Sequence, residues 1–121
     1  MPKVVHFEIP AENPERAAVF YKKVFGWKIE KWAGPIDYWL VTAGDDEEPG
    51  INGAIHENKN FKTVVNTVAV DSVDDSLEKV NQAGGKVLMP KGAVTGLGYV
   101  AFAEDTEGNA FGMLQSDPSV K

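Results

Sequence analysis

One order of hydrophobic patterns occurs twice in this chain, and that duplication constrains its fold more than any other feature. In the first half, Val4-Val5-His6-Phe7-Glu8-Ile9 reads as a strand. Asn13-Pro14 then opens a helix, because asparagine caps a helix start and proline suits the first turn, where its missing N–H costs nothing. Ala17, Phe20, Tyr21, Val24 and Phe25 recur at helical spacing, and Gly26 ends the run. Two strand-like segments, 27–32 and 38–41, follow around a Gly34-Pro35 turn. An acidic loop at 44–50 leads to a fourth strand at 51–56.

The second half repeats this order. A β-branched run spans 63–70, and Ser72-Val73-Asp74-Asp75 is a helix-opening box. Val73, Leu77 and Val80 mark the helix, which Gly84-Gly85 closes. Lys86 to Met89 reads as a strand ended by Pro90, with 92–98 as a glycine-rich rim loop. Strands at 98–103 and 110–114 flank the Asp105-Thr106-Glu107-Gly108-Asn109 turn, which lacks the second carboxylate cluster of a calcium loop. The expected fold is α+β: two tandem β-α-β-β-β modules, about 3–57 and 62–116, in a single domain over 1–121, forming a curved, cup-shaped mixed sheet.

Strand alternation assigns faces. Val5, Phe7 and Ile9 point to the helix, so Val4, His6 and Glu8 share the other face. Val65, Thr67 and Ala69 are their counterparts in the second half, and the two such faces are expected to line one concavity, a natural small-molecule site.

The chain has 121 residues, net charge −6 and no cysteine. Cysteine's absence removes disulfides, iron–sulfur clusters, thiolate metal sites and cysteine nucleophiles. An acidic chain with no basic cluster larger than Lys22-Lys23 is a poor partner for nucleic acid. No apolar run approaches the length of a membrane span and no signal peptide is apparent, so no membrane partner and a cytoplasmic location are expected.

His6-Phe7-Glu8-Ile9-Pro10, Phe20 to Trp27, Val70 to Asp74, Ala83 to Val87 and Asp105 to Gly112 together resemble the glyoxalase, bleomycin-resistance and extradiol-dioxygenase (vicinal oxygen chelate) superfamily. The resemblance runs from about Val4 to Gln115. It implies modules related by a pseudo-twofold and a homodimer. It also implies, in the metal-dependent members, one ligand on the first and fourth strand of each module.

Carried across, the first-strand ligand falls on His6, the fourth-strand ligand near Gly53, the fifth-strand ligand on Val65 and the last on Gly112. His6 alone offers a donor, too few for a stable divalent site, so no cofactor is expected. A substitute divalent-metal set of His6, Glu8 and His56 is chemically conceivable, but His56 adjoins Glu57-Asn58-Lys59-Asn60 and reads as a surface residue at a strand's outer end. Trp39 and Phe102, each in the third strand of its module, are the aromatic walls expected of a pocket. The expected ligand-binding set is thus His6, Glu8, Trp39, Thr67 and Phe102, with no catalytic residue assigned.

The function implied is binding of a small organic molecule in the cup without the usual metal centre. Two alternatives stand beside it: a metal-dependent lyase (lactoylglutathione lyase-related), isomerase or dioxygenase with substituted ligands, and a drug-sequestering resistance-type binder.

Overall fold

A computed structural model describes residues 1–34 and 36–121, so Pro35 of the expected turn lies outside the described residues. Ten elements follow one another: β1 (Lys3–Ala11), α1 (Pro14–Phe25), β2 (Lys28–Lys31), β3 (Tyr38–Thr42), β4 (Asn52–Glu57), β5 (Val65–Ala69), α2 (Val73–Gln82), β6 (Lys86–Val94), β7 (Gly98–Glu104) and β8 (Ala110–Ser116). The β-α-β-β-β order therefore occurs twice. The chain divides into two compact units, residues 6–65, and residues 66–121 together with 1–5.

In the first unit the strands lie in the order β2-β3-β4-β1. The last pair is parallel, with Phe7 opposite Gly53 and Pro10 opposite His56; the other pairs are antiparallel. Helix α1 begins where the Asn13 side chain accepts the Arg16 N–H at 3.0 Å and ends at Gly26, whose φ of 72° is the left-handed conformation glycine adopts without strain. Its inner side meets one sheet face. Ala18, Ile29, Trp39, Val41 and Ile55 form that core, with Phe7, Ile9, Ala17, Tyr21 and Trp27 packed around them. Burying a side chain such as Ile55 completely is worth about 1.5–3 kcal/mol. Gly53 lets β4 approach β1: a Cβ there would overlap the Phe7 carbonyl oxygen and ring.

The second unit repeats the plan as β5-β8-β7-β6, with β5 and β8 parallel. Ser72 caps α2 by accepting the Asp75 N–H at 3.1 Å, and Val73, Ala101, Ala103 and Met113 make the core beneath the helix. The second half departs from expectation at β6, which continues through Pro90 to Val94. It is the outermost strand of its unit and is paired only with β7, with register shifts between Met89 and Gly92. Proline is tolerated on such an edge, where its missing N–H breaks no ladder. The expected rim loop consequently shortens to the turn at 95–97.

Candidate functional site

The two faces of the first unit differ sharply. Alternation along β1, carried across the β1–β4 and β3–β4 registers, puts Phe7, Ile9, Ile55, Trp39 and Val41 on the helix side. The same registers put His6, Glu8, Ala54, His56, Tyr38 and Leu40 on the open side.

Four of these open-side residues touch. The Tyr38 hydroxyl donates to Glu8 Oε1 at 3.1 Å and lies 2.8 Å from His6 Nε2. A phenol has a single proton, so with that proton on Glu8 the second bond must be donated by His6 Nε2–H. His6 is thereby fixed as the Nε2–H tautomer, with Nδ1 left as a lone-pair acceptor. His56 Nδ1 carries a proton, which it donates to the Glu57 carbonyl at 2.7 Å, because a carbonyl can only accept. His56 Nε2 then points toward Glu8 Oε2 at 3.6 Å, buried and without a hydrogen-bond partner.

Burial sets the electrostatics. Desolvation pulls the His6 imidazole below its ordinary value, outweighing the opposing pull of the nearby Glu8 carboxylate, so the ring is neutral at pH 7. Burial, then the charge of Glu8 and the hydrogen bond to it, push the Tyr38 phenol far above its usual range, so it remains a donor. Trp32 closes one side, its ring 6.1 Å from that of Tyr38 and at 73° to it.

Of the expected ligand-binding residues, His6 and Glu8 lie together on this face. Trp39 does not join them. It is the neighbour of Tyr38 in β3 and so points the opposite way, into the core under α1, with Lys31 Nζ 5.4 Å from its ring centroid. Thr67 and Phe102 belong to the other unit. Both flank Gly112 on the face away from α2, where a Cβ would sit 3.0 Å from the Phe102 ring and from Thr67 Oγ1.

Tyr38 is absent from the expected binding set, and His56 enters the sequence reading only as the third member of a substitute metal set and as a surface residue, yet its side chain is 13% exposed. The signal for both was parity: if β4 runs parallel to β1 in this register, 52, 54 and 56 share the face of His6 and Glu8.

Residues 3–113 match the family model of the Glyoxalase/Bleomycin resistance protein/Dioxygenase superfamily. The chain belongs to this superfamily. Among curated relatives, a glyoxylase-like domain-containing protein of Didymella fabae is 37% identical over 114 aligned positions, covering 84% of each chain. Among solved structures, methylmalonyl-CoA epimerase in complex with methylmalonyl-CoA and NH4+ superposes with a TM-score of 0.72 at 14% identity, covering 100% of this chain and 99% of the epimerase. A hypothetical protein of Bacillus halodurans C-125 gives 0.72 at 13% identity, covering 96% and 95%. At such identities the likeness is one of fold, and the fold is the superfamily's α+β pair of β-α-β-β-β modules.

Metal-dependent members of the superfamily suggest a divalent ion, and the donors here do not fit one. Val65 and Gly112 offer no donor atom, and of the two neighbours of Gly53 on the open face Ala54 offers none, while the Asn52 amide oxygen accepts the Ala43 N–H at 2.9 Å. In the substitute set, the Tyr38 hydroxyl is hydrogen-bonded to both His6 and Glu8. Among the described residues no three His, Cys, Asp or Glu side chains are grouped to hold a metal ion.

Proposed function

We propose that this superfamily member binds a small organic molecule on the open face of its first module, using His6, Glu8, Tyr38 and His56, without the metal centre of its metal-dependent relatives. The observation that carries the reading is the hydroxyl of Tyr38, bonded between the one residue that matches a metal-ligand position and the carboxylate two residues along the same strand. That linkage holds both side chains in one geometry with protein atoms alone. Such a preorganised polar cluster beside an aromatic pair is what orients a small ligand.

Elemental analysis by mass spectrometry of tag-free, chelator-free protein, followed by a fragment screen read by NMR, tests this. Expected are less than a tenth of an equivalent of transition metal and fragments that shift the His6, Tyr38 and His56 ring signals. Near-stoichiometric nickel, zinc, iron or manganese would replace the reading with that of a metal-dependent lyase, isomerase or dioxygenase.

The same proposal takes the working unit to be a homodimer. Helix α1 supports it by leaving Phe20, Val24 and Phe25 57%, 52% and 60% exposed, a degree of apolar exposure that protein contacts commonly cover. Sedimentation at micromolar concentration tests this point, and a monomer would refute it.

A further inference from the structure

We infer that the ligand of this face is an organic cation carrying N–H donors: a primary ammonium, an amidinium or a guanidinium. The inference rests on the binding reading above and deepens it.

It follows from a census of donors and acceptors. All the side-chain donors of the cluster are consumed internally: His6 Nε2–H by Tyr38, the Tyr38 hydroxyl by Glu8, and His56 Nδ1–H by the Glu57 carbonyl. What remains beside the carboxylate is acceptor: Glu8 Oε2 and His6 Nδ1, joined by His56 Nε2 in the neutral Nδ1–H form of that ring. An anionic or purely accepting ligand meets the carboxylate's charge and finds no free donor on His6 or Tyr38.

The unpartnered atom sharpens the point. His56 Nε2 is buried, has no hydrogen-bond partner, and faces Glu8 Oε2 at 3.6 Å. In the neutral Nδ1–H form of His56 these are two lone-pair atoms that repel each other, and a buried polar atom without a partner is costly. A single N–H-bearing cation bridging them satisfies both, and a charged donor makes the stronger hydrogen bond to a carboxylate. The aromatic pair of Tyr38 and Trp32 adjoins the same cluster, and ring faces attract organic cations.

The test is an NMR titration of the full chain at pH 7 with benzylammonium and benzamidinium as cations, and benzyl alcohol and benzoate as neutral and anionic counterparts. The expected result is saturable shifts of the His6, Tyr38 and His56 ring signals with the cations, at an affinity about tenfold or more above that of the alcohol, and none with benzoate. Glu8→Gln keeps the side chain's size, removes its charge, and is expected to weaken the cations by about tenfold or more. Tyr99→Phe, in β7 and outside the cluster, is expected to retain cation binding, and the amide spectrum of Glu8→Gln is expected to match that of wild type, so a loss specific to Glu8→Gln is not one of general folding.

Binding of the alcohol or benzoate as tight as that of the cations would overturn the cation assignment while leaving the binding reading in place. Silence from all four probes would overturn both. A doubly protonated His56 in the ¹⁵N spectrum of the free protein at pH 7 would also overturn the assignment, because the Glu8–His56 couple would then be neutralised from within.

Discussion

Replacing Tyr38 by phenylalanine removes one oxygen and preserves the ring that stands beside Trp32. Two hydrogen bonds go with it, at 2.8 Å to His6 and 3.1 Å to Glu8. A neutral hydrogen bond is worth about 0.5–1.5 kcal/mol net and one to a charged group about 1.5–3, so the gross loss is about 2–4.5 kcal/mol. Water recovers part of this, since the His6 and Glu8 side chains are 28% and 15% exposed. The expected destabilisation is therefore about 2 kcal/mol. For a domain of this size that corresponds to a melting temperature lower by about 8 °C. Calorimetry at pH 7 on wild type and variant is the assay, with Tyr99→Phe in the second module as the control for generic loss of a phenol. A drop under about 2 °C for Tyr38→Phe, or one matched by Tyr99→Phe, would refute the claim that this hydroxyl links His6 to Glu8.

Gly53→Ala puts a methyl against the Phe7 backbone carbonyl and ring, forcing β1 and β4 apart, so urea denaturation should register a loss of about 3 kcal/mol; a midpoint within experimental error of wild type would contradict the close approach. Because burial lowers the His6 pKa, the unfolded chain binds more protons than the folded one just below the ordinary imidazole value of about 6.5, and stability falls as pH drops through that region. His6→Gln should lose less melting temperature than wild type between pH 7.5 and 5, and equal losses would assign the acid sensitivity elsewhere. Tyr38, with its pKa raised, should keep its proton in the folded state at pH 11, so wild type and Tyr38→Phe should show equal phenolate absorbance until unfolding exposes the third tyrosine. A larger absorbance for the folded wild type at that pH would show that Tyr38 ionises in place.

How much of this was legible in the sequence depended on the range of the interaction that fixes each feature. Helix starts were legible because their cause is local: Asn13 bonds a backbone N–H three residues ahead, and Ser72 does the same. The modular order was legible because strand and helix periods are written within each segment. The end of β6 was not, because proline's effect depends on whether a neighbour needs its N–H, and β6 proves to be an edge strand. Trp39 was misplaced for a related reason. Its position in the middle of β3 is visible in the sequence, but its side is fixed only by the pairing of Tyr38 with His56 and Trp39 with Ile55.

The candidate site lies at the far end of this scale. His6 and Glu8 are separated from Tyr38 by 32 and 30 residues, and the parallel β1–β4 pairing brings His56 to the side of Pro10 across 46. A one-residue slip in either register would send Tyr38 or His56 into the helix core and bring a hydrophobic residue out, since strand faces alternate with period two. The buried set Trp39, Val41 and Ile55 opposes that slip. The apolar residues on the helix side thus hold the polar residues on the open side in register. It follows that overpacking at Gly53, on the helix side, should disturb the ring signals of Tyr38 and His56 even where the protein stays folded, whereas Glu8→Gln should leave the β1–β4 amide pattern unchanged.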